Sequence, residues 1–226
     1  MNSNDISTAL SQSISADLSD TITGIAEVGL DQFLDDGTLK EVPILSTVIG
    51  LYKVGHTLKE RHNIKKLAKF VQALNDKVAD EDQRIAYRSK ICDDPHKRSQ
   101  ELEYILILID RYIEYEKPSL LAKLYLAYLD EKIDWQLFTQ YSIVIDNLFV
   151  EDLQFLKKGD KQIVRQEKTA SVLRLVSLGL LYEQTNTAKF EVNKDGHLIM
   201  ETPHKVTEKM YSHTEFGVAF AELIKI

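Results

Sequence analysis

The chain has 226 residues, 44% hydrophobic and 28% charged, enough to bury one large core or two small ones. Its formal charge of −7 falls wholly within residues 1–41, where eight acidic side chains meet one lysine, and the rest is neutral overall. That balance argues against a dedicated non-specific nucleic-acid binder while leaving room for local basic faces.

Only 9 glycines and 4 prolines occur, and no low-complexity stretch, so an ordered, helix-rich chain is expected after a flexible N-terminus at 1–16. The lone Cys92 excludes an internal disulfide and a zinc site of paired cysteines, and points to a reducing, cytoplasmic compartment. The first residues carry no basic segment followed by an apolar one, as a secretory leader would. The longest apolar run, 42–52, falls short of the roughly 20 residues a membrane-crossing helix needs.

Residues 17–34 place Leu18, Ile22, Ile25 and Val28 three and four apart, the period of an amphipathic helix, and Asp35-Asp36-Gly37 supplies its stop. Pro43 suits the first turn of a second helix that starts apolar all round and turns basic after Lys53. Gly50 and Gly55 mark close packing or a break, and His62-Asn63 a further break before a helix over 64–78. Residues 76–100 read as a polar region bounded by Asp93-Asp94-Pro95. Helices are expected over 99–116 and 120–129, then another capped near Asp134, joined by the short connections of antiparallel neighbours.

The texture changes after residue 140. Helical stretches at 142–158 and 168–178 lead into a helix-ending Gly179, a short strand at 179–183, a hairpin turning at Asp195-Gly196, and Thr214-Glu215-Phe216-Gly217 before a last helix. Helix, "LGLL", hairpin and "TEFG" are similar to the C-terminal half of many winged-helix domains. The expected fold is therefore mainly α: a helical bundle over 17–140, then a small winged-helix-like α+β unit over 141–226.

Three surfaces are candidates for function. The apolar helix carrying Ile44, Leu45, Val48, Ile49, Leu51 and Tyr52 is a candidate interface for a protein partner or a second copy. The basic run of Lys59, Arg61, Lys65, Lys66 and Lys69 could grip a polyanion or an anionic membrane surface, or be a solvated face whose lysines pair with the acidic N-terminal helix. Lys161, Arg165, Lys168 and Arg174 are candidate DNA contacts, although half of the helix carrying Arg174 must be core. The six histidines match no ligand spacing, so neither a metal nor a cofactor is expected, and Trp135 with Phe138 reads as core. No nucleophile, base and stabiliser can be assembled from named residues, which makes an enzyme the least supported class.

Asp-Gly-x-Leu-Lys-x-Val-Pro at 36–43, Tyr-Lys-Val-Gly at 52–55, Ile-Lys-Lys-Leu-x-x-Phe at 64–70 and the "LVSLGLLYE" and "HTEFG" segments together resemble a family of small bacterial and prophage-encoded proteins of unknown function. Some of these are grouped with abortive-infection, or phage-exclusion, proteins of the alpha type. The resemblance implies a cytoplasmic bacterial protein in antiphage defence. It carries no site residue, because its shared words are structural. The leading expectation is a non-enzymatic interaction protein that acts by protein contacts and self-association. The alternatives are a DNA-binding regulator using its C-terminal unit and a triggered membrane-active effector using 43–70.

Overall fold

The computed structural model describes residues 4–15, 41–52, 58–76, 81–156, 170–187 and 207–224. These are mainly helical with one two-stranded antiparallel sheet, and the chain divides into a unit Met1–Val150 and a unit Glu151–Ile226. The boundary falls after the helix Trp135–Asn147, which runs on past residue 140 because Val144 and Ile145 still face the core.

In the first unit, α1 spans Asn4–Ser15, α2 Pro43–Tyr52, α3 Leu58–Asn75, α4 Glu81–Asp93, α5 Pro95–Arg111, α6 Lys117–Leu129 and α7 Trp135–Asn147. Residues 4–15 are not the flexible start expected of them. Ile6, Leu10 and Ile14, each four apart, make a fully buried stripe, and that stripe packs α1 on α2, α4 and α5. Two polar ties fix it. Ser13 Oγ accepts the Ile44 N–H at 2.9 Å, satisfying a donor at the start of α2, and Asn75 Nδ2 donates to the Ser13 carbonyl at 3.2 Å.

The centre of this unit is α6, ten of whose thirteen residues are buried, and it packs against α3, α5 and α7. A helix that is apolar nearly all round must be covered on every side, and its neighbours supply Phe70, Val71, Leu102, Ile105, Phe138 and Tyr141. Both expected aspartate boundaries are helix caps: Asp94 accepts from Lys97 N at 3.0 Å ahead of Pro95, and Asp134 accepts from Leu137 N at 2.7 Å. His62 and Asn63 do not break a helix, since α3 runs through them. The polar stretch 81–93 is itself helix α4, and Cys92 lies on it, exposed, with Sγ 3.4 Å from Ser11 Oγ. Among the described residues nothing lies within 4 Å of where a Cβ on Gly50 would stand, and α2 runs through it without a break.

A 3-10 segment Val150–Phe155 starts at the last residue of the first unit, and the second unit continues with α8 Ala170–Ser177, β1 Leu181–Thr187, β2 Thr207–His213 and α9 Glu215–Ile224. Strand β1 is longer than the expected 179–183, and its partner is the unforeseen strand 207–213, in the register Leu181 to His213 through Thr187 to Thr207. Gly179 takes φ +74, the left-handed conformation that ends α8, with Leu180 N–H returning to the Leu175 carbonyl at 2.9 Å. The expected helix at 17–34, its Asp35–Gly37 stop, Gly55 and the Asp195-Gly196 hairpin lie outside the described residues.

Candidate functional site

Ile44 and Leu45 do not form an open interface. They are 2% and 1% exposed, covered by α1, because a segment apolar all round is the cheapest one to bury. Val48 and Ile49 are half-buried, and the side chains of Leu51 and Tyr52 lie outside the described set.

The basic run is not one polyanion-facing stripe either. Lys66 is fully buried, and its Nζ donates to the carbonyls of Asp110 at 2.9 Å and Tyr112 at 2.7 Å. Those carbonyls end α5, where the helix dipole is negative and acceptors lack intrahelical donors, so a cation is well placed there. Lys59 pairs with the Asp110 carboxylate at 3.4 Å, Asn63 donates to the same carboxylate, and His62 Nδ1 lies 2.6 Å from Tyr115 Oη. Lys65 and Lys69 are half-exposed, and so is Arg61. The acidic N-terminal segment expected to pair with these lysines lies outside the described residues.

Burial lowers the Lys66 ammonium from its ordinary 10.5 to about 8, with Asp110 opposing the shift, and burial followed by Lys66 lowers His62. Between about 8 and 10.5 the unfolded chain then holds a proton that folded Lys66 has lost, so stability rises with pH through that window. Tyr87, Tyr112 and Tyr125 are raised, by burial first, so they ionise earlier in the unfolded chain and stability falls above their ordinary 10.0. Urea unfolding is expected to show a stability maximum between these two effects. Lys66→Met should remove the ascending limb and keep the descending one; an unchanged ascending limb would refute the assignment to Lys66.

Among the candidate DNA contacts, Lys161, Arg165 and Lys168 lie outside the described residues. Arg174 is engaged within its own unit, donating from Nε to Asp152 Oδ2 at 2.6 Å and from Nη2 to Oδ1 at 3.1 Å. Asp152 is fully buried, so a fork-on-carboxylate pair is what permits its charge there.

A second ionic centre surrounds buried Glu101. It accepts from Arg98 Nη1 at 2.6 Å and from Tyr128 Oη at 2.6 Å, beside the Trp135–Phe138 stack at 4.7 Å. These groups satisfy one another and present no reactive atom. Among the described residues no group of three metal-ligating side chains is found, and no helix is long and apolar enough to cross a membrane.

The described surface does carry one unusual feature, along α5 and α7. Tyr104 Oη meets Ser142 Oγ at 3.1 Å and Arg111 pairs with Asp146 at 2.6 Å, so the two helices run side by side in the same direction. Flanking that seam on its outer side are Ile107, 60% exposed, and Ile143, 53% exposed. At its far end, Ile113 is 83% exposed and Phe149 50% exposed, and their sequence neighbours are joined by the Val150 N–H on Glu114 Oε1 at 2.9 Å. Ile107 sits inside the apolar stretch Tyr104–Ile109, and the helical period that turns Leu102, Ile105 and Ile109 inward leaves it outside. Comparison of the chain with protein families, with curated proteins and with solved structures finds no match.

Proposed function

We propose that the protein is a non-enzymatic interaction module that works by protein contacts and self-association through the outer edge of α5 and α7. One observation carries this reading: Ile107, Ile113, Ile143 and Phe149 are large apolar side chains, each at least half exposed, on neighbouring parts of one unit. Isolated exposed apolar residues are ordinary, but a group of them with a charged rim marks a contact surface. The resemblance to phage-exclusion proteins supplies a setting, antiphage defence in a bacterial cytoplasm. The C-terminal unit is read as winged-helix-like, on the support of Gly179 ending α8, strand β1 and the Thr214–Gly217 entry to α9. DNA binding by Lys161, Arg165, Lys168 and Arg174, and membrane action through 43–70, rank lower because Arg174 is held by Asp152 and Lys66 is buried.

The test is sedimentation velocity of the whole chain across a wide concentration range. Wild-type protein is expected to self-associate, and Ile143→Asp to weaken that association by roughly thirtyfold or more, as a hot-spot loss would. Because Ile143 faces solvent, the circular dichroism of the variant should match wild type. A wild-type chain that stays monomeric throughout would refute the reading.

A further inference from the structure

We infer that the partner on this edge is a second copy of the same chain, docked antiparallel along α5 with a two-fold axis at Ile107. The inference rests on the self-association reading above and adds its symmetry and register.

Glu103, Ile107 and Arg111 are spaced four apart, so they drift only about 40° per step and form one stripe along α5. Ile107 is 60% exposed, the Arg111 side chain is 62% exposed, and Glu103 is half-exposed. A two-fold axis at residue 107 pairs each position 107 + n with 107 − n of the other copy. Ile107 then meets Ile107, and Glu103 of each copy meets Arg111 of the other, giving two ion pairs around an apolar centre. The positions three either side, Tyr104 and Asp110, oppose each other without like charge.

A parallel pairing would set Glu103 against Glu103 and Arg111 against Arg111, which is repulsive at both ends. Charge complementarity therefore selects the antiparallel arrangement, and a two-fold, self-complementary contact is the commonest way for a chain to pair with itself. Arg111 already holds Asp146 at 2.6 Å from its own chain, which fixes the guanidinium at the rim while leaving most of it accessible. Glu103 and Arg111 cannot pair within one copy, since eight residues separate them by about 12 Å along the axis.

The experiment measures the dimerisation constant of the whole chain by sedimentation velocity for Glu103→Arg, Arg111→Glu and the double variant. Each single reversal is expected to weaken association by about tenfold or more, because it places like charges face to face at both ends. The double variant restores the opposite pairing and should return to within about threefold of wild type. That recovery cannot come from the Arg111–Asp146 contact, which the double variant lacks too. A double variant no better than the singles overturns the antiparallel register, and if Ile143→Asp still weakens association the interaction reading stands without it. A wild-type chain that never associates overturns both.

Discussion

Gly217→Ala is expected to cost about 3 kcal/mol or more of stability, the upper range for inserting a methyl where there is no room. A Cβ on Gly217 would stand 2.2 Å from the Leu180 carbonyl oxygen and 2.9 Å from its carbon. Both are backbone atoms, so no side chain can swing aside; α9 or the turn after α8 must move. That turn cannot move freely. Its Leu180 carbonyl accepts the Thr214 N–H at 3.1 Å, Thr214 Oγ1 donates to the Gly179 carbonyl at 2.6 Å, and the same oxygen accepts the Gly217 N–H at 2.9 Å. One threonine thus caps the N-terminus of α9 while fastening it to the C-terminal turn of α8, and a Gly three residues on allows the close approach. Amide hydrogen exchange should show protection lost first in β1, β2 and α9 and retained in α6. An alanine variant with wild-type unfolding free energy would show that the contact is looser than the geometry says. Thr214→Ala should be milder, about 1 to 2 kcal/mol, since it removes the cap without a clash.

This motif also shows what was legible in the sequence. Gly179 and the Thr214–Gly217 segment are read correctly as a helix stop and a helix start because each involves a backbone need only a few residues can meet. Asp94 and Asp134 were legible for the same reason, as were α2 from Pro43 and its apolar start, α3 beyond residue 63 and α5 through their apolar period, α6 after Pro118, and α7 as far as Tyr141. Helix α1 was missed although Ile6, Leu10 and Ile14 repeat every four residues, since the Ser, Asn and Asp around them mimic a loop. Helix α4 was missed because it buries little of its own surface, and packing against α1, a partner far away in sequence, decides its state. The candidate interface fared worst, and the cause is general. Apolar content says that a segment wants cover, not whether the fold supplies it: Ile44 and Leu45 are covered, whereas Ile107, inside an equally apolar run, is left outside. Lys66 was indistinguishable by composition from its exposed neighbours. Its position in the stripe with Asn63, Leu67 and Phe70, which faces the core, was the available signal.

Replacing Glu101 by Ala is expected to cost about 3 to 5 kcal/mol, the range for removing one partner of a buried ion pair. The carboxylate is 4% exposed and joins three helices: it lies on α5, accepts from Tyr128 of α6, and holds Arg98, whose Nε also reaches the Lys90 carbonyl of α4 at 3.1 Å. Arg98 in turn lies 5.2 Å over the Tyr128 ring, with only 15% of its side chain exposed. Without Glu101 the guanidinium keeps a cation–π contact and one carbonyl but no counter-charge, and the Tyr128 hydroxyl loses its acceptor. Glu101→Gln retains an acceptor at the same place, so its cost should fall to about 1 to 3 kcal/mol, that of trading a charged hydrogen bond for a neutral one. The pairwise origin of the effect is separable by a cycle. Arg98→Met with Glu101→Met removes both charges, and the double variant should be more stable than either single change by about 2 kcal/mol, because an apolar pair of similar volume often replaces a buried ion pair at little cost. Additive losses in that cycle would mean that Glu101 acts through Tyr128 instead, and Tyr128→Phe would then reproduce most of the Glu101→Ala loss.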